Sequence, residues 1–192
     1  MGTSRRKFLQ LVMGSGLTGL LIGEVGSTTP SDVGFTPFDK HTRIDIGTRG
    51  SALIEKAYTI GHEYEEQHGG CARCTVAALQ NVLPFIQENN DVFRTACCLD
   101  GGATPTKRAN CGGFTGSGII IGYVCGTNAF GDTDLGHRLM REVHGKFAQA
   151  YGSVLCQEVR KKNHDCPDVV GKAACWTTEI ILRQFANYEQ NG

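Results

Sequence analysis

The chain has 192 residues, 40% hydrophobic and 20% charged, with 19 basic residues against 19 acidic ones. That content suits one compact domain with extensions, and the even charge leaves no electrostatic footprint for nucleic acid. Nine cysteines in so short a chain ask for disulfides or a bound cofactor.

Residues 1–27 read as an export signal. Ser4-Arg5-Arg6-Lys7-Phe8-Leu9-Gln10 has the form of a twin-arginine motif, and the apolar stretch at 11–22 is too short and glycine-rich for a membrane span. Val25-Gly26-Ser27 supplies small residues for cleavage. The expected destination is the periplasm, with a membrane anchor only if the signal is retained. Signals of this kind carry proteins that are already folded, often around a cofactor, which tilts the nine cysteines toward a cofactor. Removing Arg5, Arg6, Lys7 and Glu24 leaves a mildly acidic remainder.

Residues 28–50 carry Pro, Gly, Thr and Asp without a sustained period and read as a linker or extended arm. A helical, cysteine-rich domain is expected over 51–192. Leu53, Ile54, Ala57, Ile60 and Tyr64 recur at helical spacing up to the stop at Gly69-Gly70. A second helix is expected from Cys71 through Ile86, kinked or divided by Pro84. A short segment at 91–99 and a loop at 101–110 follow, then a buried helix over roughly 110–124. Asp132 or Asp134 caps a helix striped by Leu135, Leu139, Val143, Phe147 and Tyr151. A short helix over 153–161 precedes a last one opened by Asp165-Cys166-Pro167, with Trp176 and its other large side chains in the core. No alternating strand pattern is sustained. The fold class is therefore all-α, a bundle of about five helices.

The stretch CGGFTGSGIIIGYVCG (111–126) lacks the Lys-Ser/Thr of a phosphate loop and follows a polar loop, not a strand, so it does not read as a nucleotide site. Gly112 and Gly116 share a helix face, as do Gly118 and Gly122. Each glycine costs about 1 kcal/mol of helix stability relative to alanine. A partner backbone or an inorganic cluster lying close to the helix accounts for that cost.

The cysteines are Cys71, Cys74, Cys97, Cys98, Cys111, Cys125, Cys156, Cys166 and Cys175. Their spacing is not that of a zinc ribbon. Cys71-Ala72-Arg73-Cys74 lies at a helix start, which favours thiolates, but lacks the βαβ setting of a redox dithiol. Thr75 stands where a c-type haem site needs histidine, so no haem c is expected. Cys97-Cys98 is an adjacent pair able to recruit a metal. Cys125 and Cys175, on apolar helices, read as core thiols or one disulfide. Glu63, Glu65 and Glu66 read as a solvated face, and the six histidines as mainly solvent-exposed, with His68 and His164 the two that neighbour candidate cysteines. Neither GxSxG nor HExxH occurs.

Four of these segments together resemble the C_GCAxxG_C_C family of redox-active proteins. Cys71 matches its first cysteine. Cys111-Gly112-Gly113-Phe114-Thr115-Gly116 matches its glycine motif, with Gly113 where alanine is usual. Cys156 in YGSVLCQEV and Cys166 in DCPDVV match the third and fourth cysteines. The resemblance spans roughly 52–185. It implies a redox role beside an oxidoreductase, exported in some members. The split-Soret cytochromes are also similar; they carry an iron–sulfur centre and haem motifs that this chain lacks, and they suggest a homodimer. Four thiolates from four helix ends can converge to give the Cys₄ set of an iron–sulfur cluster or a zinc ion. The resemblance thus implies a cluster on Cys71, Cys111, Cys156 and Cys166, with Cys74 as a substitute for Cys71, and [2Fe–2S] favoured over [4Fe–4S]. The expected role is an electron carrier or accessory redox protein, not a stand-alone enzyme. The alternatives are a metal-free thiol–disulfide protein using the same cysteines, and a non-catalytic subunit stapled by disulfides or zinc.

Overall fold

The computed structural model describes residues 35–189. The expected export signal at 1–27 and the first part of the expected arm at 28–50 lie outside the described residues. The fold is all-α. Its seven helices are α1 (Gly50–His68), α2 (Cys71–Val82), α3 (Asn90–Ala96), α4 (Gly112–Cys125), α5 (Asp134–Tyr151), α6 (Cys156–Lys162) and α7 (Cys166–Phe185). The short helix expected over 153–161 is α6, and the short segment expected at 91–99 forms α3.

Local chemistry sets most boundaries. Gly69 and Gly70 both adopt positive φ, at 62° and 93°, which ends α1 and allows α2 to start at the next residue. The second helix stops at Val82 instead of reaching Ile86. Leu83 precedes Pro84 and is extended, at φ −80° and ψ 108°, as the proline ring requires of its neighbour. Asn89 caps α3 by accepting from the backbone N–H groups of Asp91 and Val92. Asp132 accepts from Asp134 N at 2.8 Å at the entry to α5.

The apolar helix α4 lies centrally, packed against α2, α3, α5 and α7. Its fully buried Ile120, Ile121 and Val124 meet Leu79, Leu139, Phe147, Ile180 and Phe185 in one core. Two bonds inside this core are polar. Thr177 donates to Ser117 Oγ at 2.7 Å, and Ser117 donates to the Gly113 carbonyl at 2.8 Å, so α4 and α7 share buried hydroxyls without orphaning them. The helices α1 and α7 approach closely where a Cβ on Gly171 would lie 2.9 Å from the Tyr58 carbonyl.

Residues 35–49 form an irregular arm seated on the bundle. Phe38 N donates to the Val124 carbonyl at 2.7 Å and Ile44 N to the Phe185 carbonyl at 2.8 Å. The Phe38 ring packs on Phe85 and Phe185. Among the described residues the only extended pairing is one isolated antiparallel bridge, Asn110 with Leu155. That bridge clips the 101–110 loop to the start of α6, with Cys156 N donating to the Ala109 carbonyl and Gln157 N to the Lys107 carbonyl, both at 2.9 Å. No described helix is long and apolar enough to cross a membrane.

Candidate functional site

The helix starts carry the cysteines. Cys71, Cys156 and Cys166 are the first residues of α2, α6 and α7, and Cys111 is the N-cap of α4. All four line one cavity of about 270 Å³, together with Glu65, Asp100, Gly101, Lys107, Val159, Arg160 and Val169. Cys71, Cys111 and Cys156 are buried, and Cys166 is half-buried.

Two glycine contacts bring α4 onto α2 at this end. A Cβ on Gly112 would collide with Cys71 Sγ and lie 2.6 Å from Ala72 N; one on Gly116 would lie 2.6 Å from the Ala72 carbonyl. The expectation of close approach therefore holds for this pair. At Gly122 a Cβ would meet nothing within 4 Å, so that glycine has no packing reason.

The first turn of α2 has no side-chain cap of its own, because Gly70 occupies the N-cap. Asp100 supplies one from across the cavity, accepting from Ala72 N at 2.6 Å. It thereby satisfies a backbone donor that the helix leaves open and fixes the wall beside Cys71.

The electrostatics divide the cavity. Burial pushes the Cys71 thiol up to about 11, and the carboxylates of Glu65 and Asp100 add to the rise; the N–H groups of Gly101 and Gly112 oppose it without winning. Burial likewise raises Cys111 to about 12, aided by Cys71 and Cys156, against the N–H groups of Gly113 and Phe114. Burial also raises Cys156 and Cys166, but Arg160 opposes the shift at both and Lys107 at Cys156. Arg160 Nη1 donates to Cys166 Sγ at 2.9 Å. Acid thus acts chiefly on Cys71, through Glu65 and Asp100, and cations on Cys156 and Cys166, with Glu65 opposing Arg160 at Cys166. Glu65, whose Oε2 is buried without a partner, has a carboxyl held above its usual range by burial.

The remaining candidates lie elsewhere. Cys74 does not line this cavity. It faces a separate pocket with Tyr64, Gln67, His68, Arg73 and Phe93, and its thiol donates to the Gly69 carbonyl at 3.1 Å. His68 and His164 are exposed and outside the cavity lining. Cys125 is a buried core thiol donating to the Ile121 carbonyl at 3.2 Å, Cys175 is half-buried, and Cys97 and Cys98 are exposed. All nine cysteines are free thiols. Among the described residues, no three His, Cys, Asp or Glu side chains come together as one metal ion would require.

Four residues of the site were not anticipated: Glu65, Asp100, Lys107 and Arg160. Glu65 carried a signal, since it extends the buried stripe of Ile54, Ala57 and Gly61 at helical spacing. It belongs to the cavity wall, not to a solvated face. Asp100 and Lys107 sit in loops, where side-chain direction has no sequence period, and Arg160 sits on α6, whose seven residues are too few to show one.

No curated protein and no solved structure matches the chain. The family description Putative redox-active protein (C_GCAxxG_C_C) matches residues 70–180, which hold every cysteine of the cavity, and the chain belongs to that family.

Proposed function

We propose that Cys71, Cys111, Cys156 and Cys166 hold an iron–sulfur cluster and that the protein carries electrons. The observation behind this reading is that four cysteines at the starts of four helices line one cavity. The donor set is chemically right, since soft thiolates select iron–sulfur clusters or zinc over hard cations. The placement of the side chains favours the first of these. Side chains standing around a cavity, not gathered on a point, fit a polynuclear group, with [2Fe–2S] favoured over [4Fe–4S], better than a single zinc ion.

Burial argues in the same direction. A thiol with a pKa near 11 is ionised to about one part in ten thousand at neutral pH, so Cys71 and Cys111 are poor nucleophiles as free thiols. Thiol–disulfide exchange is therefore disfavoured here, whereas a coordinated cation removes thiol protons outright. When bound, the cluster supplies a one-electron couple. The chain's part is to hold it with four thiolates, to present backbone N–H groups of Gly113 and Phe114 to the Cys111 sulfur, to fix Cys166 through Arg160, and to keep water out with Val159 and Val169.

On the twin-arginine motif at Arg5-Arg6 we place this carrier in the periplasm, serving an exported or membrane-bound oxidoreductase. The test is anaerobic purification with iron and acid-labile sulfide assays and a visible spectrum. Brown protein with matched iron and sulfide, bleached by dithionite, is expected. Colourless protein that takes up neither iron nor sulfide on reconstitution would sink the reading.

A further inference from the structure

The chain as a whole is electrically neutral, but its charge is not evenly placed around the cavity. The loop at 101–110 carries Lys107 and Arg108, and α6 carries Arg160, Lys161 and Lys162, with Glu158 the only acid in the two segments. Backbone bonds clip these segments together, so the two runs of cations lie on neighbouring stretches of chain. Lys107 and Arg160 line the cavity itself. Lys161 pairs with Glu158 at 2.8 Å. Lys107, Arg108, Arg160 and Lys162 take part in no ion pair among the described residues. Glu65 and Asp100 also face the cavity, but both are half-buried, and Asp100 is committed to Ala72 N.

Two apolar groups sit within this collar. Leu155, at the N-cap of α6, is 36% exposed, and Pro105, which lines the cavity, is exposed. An apolar spot ringed by unpaired charge, beside a half-buried cysteine of the cavity, has the anatomy of a transient protein contact.

We propose that this collar is the docking surface for a partner protein presenting a cluster of carboxylates, and that electrons pass between the two there. The proposal rests on the electron-carrier reading above. A membrane surface fits less well. The buried apolar residues of α6, Cys156 and Val159, are turned into the cavity, so the helix keeps no apolar face to lay into lipid. The charge complementarity that steers a protein partner needs only the cations.

The test uses the full chain, reduced anaerobically, and two one-electron oxidants of opposite charge, hexacyanoferrate(III) and hexaammineruthenium(III). Each takes one electron from the reduced protein and is itself reduced by one. The hexacyanoferrate rate should fall roughly tenfold as salt rises from low to physiological strength, while the hexaammineruthenium rate holds or rises. The Arg108→Glu/Lys162→Glu double variant, altered only at exposed positions, should keep the iron content and spectrum and lose the salt dependence for hexacyanoferrate. Equal salt dependence for the two oxidants, with the colour intact, would overturn the docking surface and leave the cluster standing. If the protein proves colourless, anisotropy of a labelled oligoglutamate peptide decides instead. Binding lost in the double variant supports the surface, and no binding to the native chain overturns it. Vesicles of phosphatidylglycerol run in parallel, and retention by them with none by the peptide assigns the collar to lipid and overturns the proposal.

Discussion

Replacing Gly112 by alanine tests whether the glycine motif exists to seat α4 on α2. The added Cβ would strike Cys71 Sγ and stand 2.6 Å from Ala72 N. The Cys71 sulfur can turn about its χ1, but Ala72 N and the Cys71 carbonyl carbon, 3.1 Å from the new methyl, are backbone at the start of α2, which Asp100 and the Gly69-Gly70 turn hold in place. Overpacking of this kind costs about 1–3 kcal/mol. Helix propensity returns at most about 1 kcal/mol, and the return is small at the first residue of the helix. The expected net is a loss of about 1–3 kcal/mol, read as a lower urea midpoint with unchanged slope. The same shift displaces Cys71 from Cys111, so iron retention should fall with stability. Gly122→Ala is the internal control. It has the same chemistry in the same helix with nothing within 4 Å of the new methyl, and it should gain about 0.5–1 kcal/mol. A Gly112→Ala protein as stable as the native one, with full iron, would refute the close-approach account.

Other outcomes follow from the same geometry. Cys111→Ser should abolish iron binding, whereas Cys175→Ser, outside the cavity, should leave iron and sulfide unchanged; the reverse pattern in a metal assay would reassign the ligands. Asp100→Ala removes the acceptor for Ala72 N and should cost about 1–2 kcal/mol in urea unfolding, with an unchanged midpoint counting against the distant cap. In the metal-free protein, burial keeps the Cys71 and Cys111 thiols protonated up to about 11 and about 12 when folded, against an ordinary 9.0 for a thiol. Above pH 9 the unfolded chain gives up protons that the folded chain keeps. Stability is therefore full below pH 9 and falls as pH climbs toward 12. Urea midpoints at pH 8 and about pH 10.5 should show the drop, and Cys111→Ser should shrink it.

The sequence resolves the long helices because each buries one periodic face. The stripe of Leu139, Val143, Phe147 and Tyr151 is buried in α5 as its spacing required. Punctuation residues located the starts that matter: Gly69-Gly70 before Cys71, and Asp165 with Pro167 around Cys166. Where the reading overran, at Leu83 to Ile86, the proline's effect on its neighbour decided the end, and its outcome depends on whether the core needs another turn. The cavity was legible only in its cysteines. Asp100 acts on a residue 28 positions away, and Arg160 reaches Cys166 across the α6–α7 turn. Contacts of this kind are fixed by how loops fold over a bundle, and no local period encodes them. Glu65 was legible in principle, but its charge outweighed its phase on the helix.

On the proposed electron-carrier reading, the charges around the cavity bear on where an added electron would reside. Adding an electron to a thiolate-bound centre adds negative charge to a poorly solvated site, which is expensive unless cations or N–H dipoles face it. At Cys71 the ionisable neighbours are Glu65 and Asp100, which oppose that charge. At Cys156 they are Arg160 and Lys107, which favour it, and at Cys166 Arg160 acts more strongly than the opposing Glu65. The reduced form should therefore concentrate its added charge toward Cys156 and Cys166. That half also holds the one half-buried cysteine of the four and the unpaired cations of the collar. On that reading a cysteine placed to stabilise the electron is also the one of the four nearest solvent, Cys166, so reduction and delivery to the proposed partner would make the same demand on the fold.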